Sequence, residues 1–217
     1  MNFDRKVLWV RYPKTASTTI KAMFIDSDKR WNDNDLKPDI KVAEYKTIHH
    51  IFNYKKRCCD LKINKINIIR SLILDEYIQK CYNTWNDTYK IITSRNPYDR
   101  FVSGYLHMNI KTPFNEMHEY DYTKLNPKQQ NHIIKPIYSE HIKNADYIIR
   151  YEYLINDLKK LFELFNMKLN VNNIPVLRKT KSVHYSYYYK KNPHMINFVY
   201  NNFISDFEFF KYNKNIN

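Results

Sequence analysis

Glycine is nearly absent from this 217-residue sequence, with Gly104 the single one. A Walker-type loop of the form G-x₄-G-K-S/T is therefore excluded, because its glycines let the backbone close around a phosphate. Cysteine is scarce too. Cys58, Cys59 and Cys81 are odd in number, and neighbouring Cys58 and Cys59 cannot easily bridge each other, so no disulfide framework is expected and a reducing compartment fits. His49, His50, Cys58 and Cys59 offer four ligand types, but their paired spacing matches no zinc pattern, and no metal is expected. No apolar run reaches the ~18 residues of a membrane span. The charged first six residues lead into a strand-length segment, unlike a signal peptide. The chain thus reads as unprocessed, without a membrane span, and soluble in the cytoplasm or another intracellular compartment.

Hydrophobic residues make up 43% of the chain and aromatic residues 16%, enough to bury a core and to exclude a disordered polymer. The length suits one domain over residues 1–217. Lys and Arg total 36 against 22 Asp and Glu, a formal charge of +14. That balance favours anionic partners such as nucleotides, nucleic acid or acidic glycans. The same excess of Lys, Asn, Ile and Tyr would arise in an AT-rich coding sequence, so charge alone selects no partner.

Val7-Leu-Trp-Val10 reads as a strand, followed by a polar turn and a helical segment over residues 18–24. Ile66, Ile69, Ile73, Tyr77 and Cys81 recur at steps of three and four, which predicts a helix over about residues 66–82. Tyr89-Lys-Ile-Ile-Thr93 is a second core strand. Asn96-Pro97-Tyr98-Asp99 follows, a capping residue, a proline suited to the first helical position and an acid for the first turn, so a helix begins at Pro97. Residues 145–150 make a third strand. Leu154, Leu158, Leu161, Phe162 and Phe165 stripe the next helix, and a last helix near Asn192-Pro193 carries Ile196, Val199, Tyr200 and Phe203. Strands alternating with helices predict an α/β fold, a central, mainly parallel sheet flanked by helices in three layers with right-handed crossovers. Residues 25–48 and 111–144 lack clean periodicity and are the expected lid and acceptor loops.

Two strand-to-helix junctions carry the chemistry. Tyr12-Pro-Lys-Thr-Ala-Ser-Thr-Thr19 places a cation, Lys14, and the hydroxyls of Ser17, Thr18 and Thr19 where free backbone N–H groups and the helix dipole favour an anion. A capped helix with a solvated lysine would look the same. At the second junction, Thr93-Ser-Arg-Asn-Pro-Tyr-Asp-Arg-Phe-Val-Ser-Gly-Tyr105, Arg95 ends the strand while Arg100 and Ser103 share a helical face. An anion across that corner would take charge-assisted bonds from Arg95 and a hydroxyl bond from Ser103. The alternative is a capped helix with surface arginines.

Together these segments resemble the 5′-phosphosulfate loop and the 3′-phosphate motif of sulfotransferases that use 3′-phosphoadenosine-5′-phosphosulfate (PAPS). Their patterns are P-K-T-A/G-G/S-T-S/T and R-N/D-P-x₂-R-x₂-S-x-Y. Pro13-Lys-Thr-Ala-Ser-Thr18 is especially similar to the uronyl 2-O-sulfotransferase branch of the carbohydrate-type family. Ile149-Arg-Tyr-Glu-Tyr-Leu-Ile-Asn-Asp157 resembles a later segment of the family, R-Y-E-x-L-x₂-D. Lys179-Thr-Lys-Ser-Val-His-Tyr, Tyr187-Tyr-Tyr and Asp206-Phe-Glu-Phe-Phe resemble its closing pattern. The likeness spans about residues 7–212 and is patchy over 25–88.

The resemblance implies a single P-loop-like domain that moves a sulfuryl group from PAPS to an acceptor hydroxyl, on a glycan by the likeness of branch, leaving PAP, the desulfated product. It implies donor contacts from Lys14, Thr15, Ala16, Ser17, Thr18, Thr19, Arg95 and Ser103, and from a basic loop of Lys179, Lys181 and Ser182. Charge gathers on the leaving phosphate oxygen in such a transfer, and Lys14 is the expected group to stabilise it. The acceptor needs a base near neutral pKa, for which His49 and His50 are the candidates, with Glu44 as a further one. Either histidine would equally be an ordinary surface or core residue. Tyr185, Tyr187, Tyr188 and Tyr189 suit stacking on adenine or sugar, or plain packing. Glu152 is expected as a strand-end hydrogen-bond acceptor and Asp157 as a helix-surface charge.

Two other classes compete. A nucleotide-dependent phosphotransferase would need an atypical phosphate loop, since Walker and kinase motifs are missing. A basic, tyrosine-rich RNA-binding module is disfavoured by the lack of an RNP1-like segment, a GXXG loop or a helix-turn-helix, so no nucleic-acid partner is expected.

Overall fold

The computed structural model describes residues 6–16, 19–20, 58–63, 66–72, 88–138, 142–164 and 183–216. These fall in two compact units. One is drawn from Met1–Tyr12, Ala16–Thr93 and Asn144–Leu177, and the other from Pro13–Thr15, Ser94–Lys143 and Arg178–Asn217.

The first unit is built on a sheet of order β2-β3-β1-β4-β5. Its strands are β1 (Lys6–Arg11), β2 (Cys58–Ile63), β3 (Ile66–Leu72), β4 (Thr88–Ser94) and β5 (Tyr147–Arg150). β1 pairs in parallel with β3, Leu8 opposite Ile69, and with β4, Leu8 opposite Lys90. β2 runs antiparallel to β3 at the edge, Asp60 opposite Ile69. Strands and helices are thus mixed along the chain and the sheet has parallel pairing at its centre, as the alternation of elements predicts.

The helix expected over residues 66–82 is overturned where it is described, because Ile66–Leu72 is a strand paired on both sides. Ile66, Ile68 and Ile69 are β-branched and stiff at χ1, which favours a pleated backbone over a helix. Within the described strand only Ile66 and Ile69 keep the helical spacing, too few to outweigh that. Residues 73–82 lie outside the described part.

At the start of β5 the Asp146 carboxylate accepts from the Lys90 N–H at 2.6 Å, and the Asp146 N–H donates to the Lys90 carbonyl at 2.9 Å. Beyond β5, Asp157 accepts from the Arg150 N–H at 2.8 Å through its side chain and from the Tyr147 hydroxyl at 2.8 Å through its carbonyl. Asp157 is therefore a strand-end acceptor and no mere surface charge. Burial and the nearby Asp157 push the Tyr147 hydroxyl up to about 12. The next helix, Leu154–Leu164, buries Leu158, Leu161 and Phe162, as the apolar stripe predicts.

Helices dominate the second unit: α1 (Pro97–Met108), α2 (Pro127–Ile133), then, after α3 (Leu154–Leu164) of the first unit, α4 (Ser186–Lys191), α5 (His194–Asn202) and α6 (Ile204–Phe210). Its core gathers Tyr98, Phe101, Val102, Phe114, Met117 and Leu125 with Ile133, Tyr189, Met195, Val199, Phe203 and Phe207. The rings meet mostly edge to face, Tyr98 on Tyr189 at 5.1 Å and Phe101 on Phe114 at 5.9 Å. Tyr189 is fully buried and its hydroxyl donates to the Tyr98 carbonyl at 3.0 Å, so packing, not base stacking, occupies that tyrosine. Tyr187 is exposed, with the Lys191 ammonium 4.4 Å from its ring centre.

The expectation that residues 111–144 form an irregular loop is also corrected. They hold single helical turns at Phe114–Glu116 and Tyr122–Lys124 and the helix α2. Asn126 and Gln129 close a reciprocal capping box at 3.0 Å on each side, a signal legible in the sequence as a capping residue followed three places later by Gln.

Gly104 has a packing reason. A Cβ there would run into the His132 carbonyl oxygen of α2, a backbone atom that cannot swing aside. Gly104→Ala should therefore destabilise the chain by about 1–3 kcal/mol, despite alanine's better helix propensity. Denaturant titration of the two chains checks this, and a stabilised variant would show that α1 and α2 are not in such close contact.

Candidate functional site

β1 ends at Arg11, and the chain turns through Pro13–Ala16 before Thr19 and Ile20 begin a helix, whose Ile20 N–H bonds the Ala16 carbonyl at 3.0 Å. Lys14 has φ 65° and Ala16 φ 57°, and Thr15 between them does not share the positive sign. A non-glycine residue in the left-handed region costs of order 1–3 kcal/mol and persists only where its surroundings enforce it. Alternation of φ sign turns successive N–H groups to one side and makes a concavity suited to an anion. This loop therefore takes a glycine-like shape with no glycine in it. Thr15 and Thr19 are buried, while Lys14 and Ala16 are half-buried.

The second junction forms as its residues predict. The Asn96 side chain caps α1 by accepting from the Tyr98 N–H at 2.9 Å, Pro97 takes the first turn, and the Arg100 N–H closes the first helical bond to the Asn96 carbonyl at 2.8 Å. Arg95 lies one residue before the cap. Its Nε and Nη2 donate to the two Asp99 carboxylate oxygens at 2.7 and 2.8 Å, and its Nη1 donates to the Lys14 carbonyl at 2.8 Å. Both side chains of the pair are largely sequestered, with 12% exposure for Arg95 and 20% for Asp99. Ser103 is buried one turn beyond Asp99 on the same helical face.

The two motifs are thus joined by a hydrogen bond. Sequence reading gave Asp99 only a helix-start role and missed its grip on Arg95, although the i, i+4 spacing of Arg95 and Asp99 was the available signal. Arg100 departs further from expectation. It is neither a surface arginine nor exposed to a ligand, being 1% exposed and paired with Asp206.

Neighbouring groups fix the same corner. The Ser94 hydroxyl and Tyr212 hydroxyl lie 3.0 Å apart, and the Tyr98 hydroxyl donates to the Lys214 carbonyl at 2.8 Å. Burial is the main cause that pushes the Tyr98 hydroxyl up to about 12, so it remains a donor throughout the physiological range. Ser17, Thr18, Glu44, His49, His50, Lys179, Lys181 and Ser182 lie outside the described residues. Among the described residues, no three His, Cys, Asp or Glu side chains are grouped to hold a metal ion, and no helix is long and apolar enough to cross a membrane.

The model of the sulfotransferase family matches residues 1–213. The chain belongs to the sulfotransferase family. No curated protein and no solved structure gives a significant match. This sulfotransferase is an enzyme whose family uses PAPS as sulfuryl donor and a hydroxyl as acceptor. Both motif-bearing junctions fall within the matched span.

Proposed function

We propose that this sulfotransferase acts on a carbohydrate hydroxyl by in-line displacement. In this reading residues 1–217 form one P-loop-like, three-layer domain, and PAPS is held by its 5′-phosphosulfate in the 13–19 loop and by its 3′-phosphate at Arg95 and Ser103. Lys14 meets the charge that develops on the leaving phosphate oxygen, the place where a preorganised cation contributes most to the rate. Ser17, Thr18 and the Lys179, Lys181 and Ser182 loop complete the donor contacts. One of His49 and His50 removes the acceptor proton. The observation that carries the reading is the Arg95 bond to the Lys14 carbonyl, because within one compact unit it links the residue proposed for the 3′-phosphate to the residue proposed for the leaving oxygen.

The donor can be tested without knowing the acceptor. PAP should raise the melting temperature more than ADP at equal concentration, since a ligand stabilises by its affinity for the folded chain. Equal shifts would favour a phosphotransferase. Arg95→Ala and Ser103→Ala should then erode the preference for PAP over AMP, with Arg95 the larger effect because bonds to charged groups contribute about 1.5–3 kcal/mol. If both variants keep the wild-type preference, these residues do not bind the 3′-phosphate.

The base is tested by its pH signature. Only one of two adjacent side chains is expected to meet the acceptor, so His49→Ala and His50→Ala should respond unequally. One variant should lose the acidic limb of the pH–rate profile while still binding PAP. Retention of that limb in both variants, and in the double variant, would move the role to Glu44 or another group.

A further inference from the structure

We propose that Asp99 is a positioning residue for the transfer step, acting through Arg95 on the peptide between Lys14 and Thr15. This inference rests on the sulfuryl-transfer reading and adds a coupling between the two ends of the donor site.

The geometry has three links, all inside one compact unit. Asp99 grips the Nε–Nη2 edge of Arg95 with both carboxylate oxygens, at 2.7 and 2.8 Å, which fixes the plane of the guanidinium as a single bond would not. The remaining nitrogen, Nη1, then meets the Lys14 carbonyl at 2.8 Å. No peptide bond in the described chain is cis. In a planar trans peptide the C=O and the following N–H point in opposite directions. Holding the Lys14 carbonyl toward Arg95 therefore aims the Thr15 N–H away from it. It also holds the loop at Lys14 in the left-handed region, φ 65°, which a lysine does not adopt by preference.

The chemical consequence is that one guanidinium serves both ends of the nucleotide. Arg95 lies where the 3′-phosphate is recognised, and the same side chain sets the backbone that carries Lys14 and the Thr15 donor. Asp99 keeps Arg95 in the orientation that reaches the loop. Its carboxylate also opposes a 3′-phosphate electrostatically, so it contributes alignment at some expense of affinity.

That combination gives a test which a loss of folding would not imitate. The readouts are PAP affinity by calorimetry and PAP release from PAPS to water, in which a water oxygen bonds to sulfur, the bridging S–O bond breaks and its electron pair leaves with PAP. Asp99→Asn should bind PAP as tightly as the wild type or more tightly, yet release PAP about tenfold more slowly or worse, the scale expected of a small misplacement. Arg95→Lys keeps a cation but not the planar fork, and should show the same larger loss in rate than in affinity. Asp99→Glu restores a carboxylate and should recover part of the rate. Unchanged rates in Asp99→Asn and Arg95→Lys would overturn the proposal, as would equal losses of rate and affinity in both. A wild-type chain that does not consume PAPS would sink the underlying reading and this coupling with it, whereas wild-type turnover with insensitive variants sinks the coupling alone.

Discussion

Replacement of Lys14 by alanine is expected to lower the rate of sulfuryl transfer by about 10²-fold or more while PAP binding stays close to the wild-type level. The asymmetry follows from what the substitution removes. Alanine lacks the ammonium proposed to meet the leaving oxygen, but the carbonyl bonded by Arg95 at 2.8 Å belongs to the backbone and remains. The loop should keep its shape, because Ala16 already sits at φ 57° and an alanine at position 14 meets the same backbone restriction as lysine. Charge on the bridging oxygen develops only as the S–O bond breaks, so a group directed at it affects the rate far more than ground-state affinity. PAP release from PAPS and PAP calorimetry on the same samples check the split. Equal losses in both would make Lys14 a ground-state ligand, and an unchanged rate would remove it from the reaction.

The sequence was most informative where a local signal and the tertiary structure agree. Asn96, Pro97 and Asp99 place the start of α1 because capping, a fixed φ and the helix dipole act within one turn. The apolar stripe of α3 and the strands β1, β4 and β5 were legible for the same reason. The strand Ile66–Leu72 was not, because its identity depends on partners on both sides, β1 and β2, that no local window contains.

At the site, residue types pointed to Lys14, Arg95 and Ser103, while the bond between Lys14 and Arg95 was invisible. A bond from Arg95 to a carbonyl 81 residues away leaves no trace in spacing. The lack of glycine argued against a Walker loop, yet it did not exclude a loop of glycine-like φ at Lys14 and Ala16, since tertiary contacts can hold ordinary residues there. Arg100 shows the converse. The alternative reading of its segment made it a surface arginine, and burial reveals a structural one.

Removal of the Asp206 carboxylate, in Asp206→Ala, is expected to cost about 3–5 kcal/mol, a large part of the 5–15 kcal/mol of a typical domain. Asp206 is buried and ties three parts of the second unit. One oxygen accepts from the Ile137 N–H at 2.9 Å, the other from the Tyr138 N–H at 2.6 Å, and the Arg100 Nη2 stands 3.4 Å away. Arg100 also donates to the Lys135 carbonyl at 2.5 Å and lies 4.8 Å from the centre of the Phe203 ring. Alanine would leave a buried guanidinium without its counter-ion and two backbone donors without acceptors. Because Arg100 and Ser103 share the buried face of α1, this loosening should also lower PAP affinity. The pH dependence carries the sharper sign. Burial raises the Asp206 carboxyl above its ordinary 3.8 and outweighs the lowering by Arg100 and the two N–H groups. The folded chain then holds this proton more tightly than the unfolded one, so the contribution of Asp206 to stability grows as pH falls from the raised value toward 3.8. The penalty of Asp206→Ala, measured by urea titration at several pH values, should therefore widen through that window. A penalty that narrows with acid would mean that the pair with Arg100 outweighs burial, with the carboxyl held below its ordinary value instead of above it.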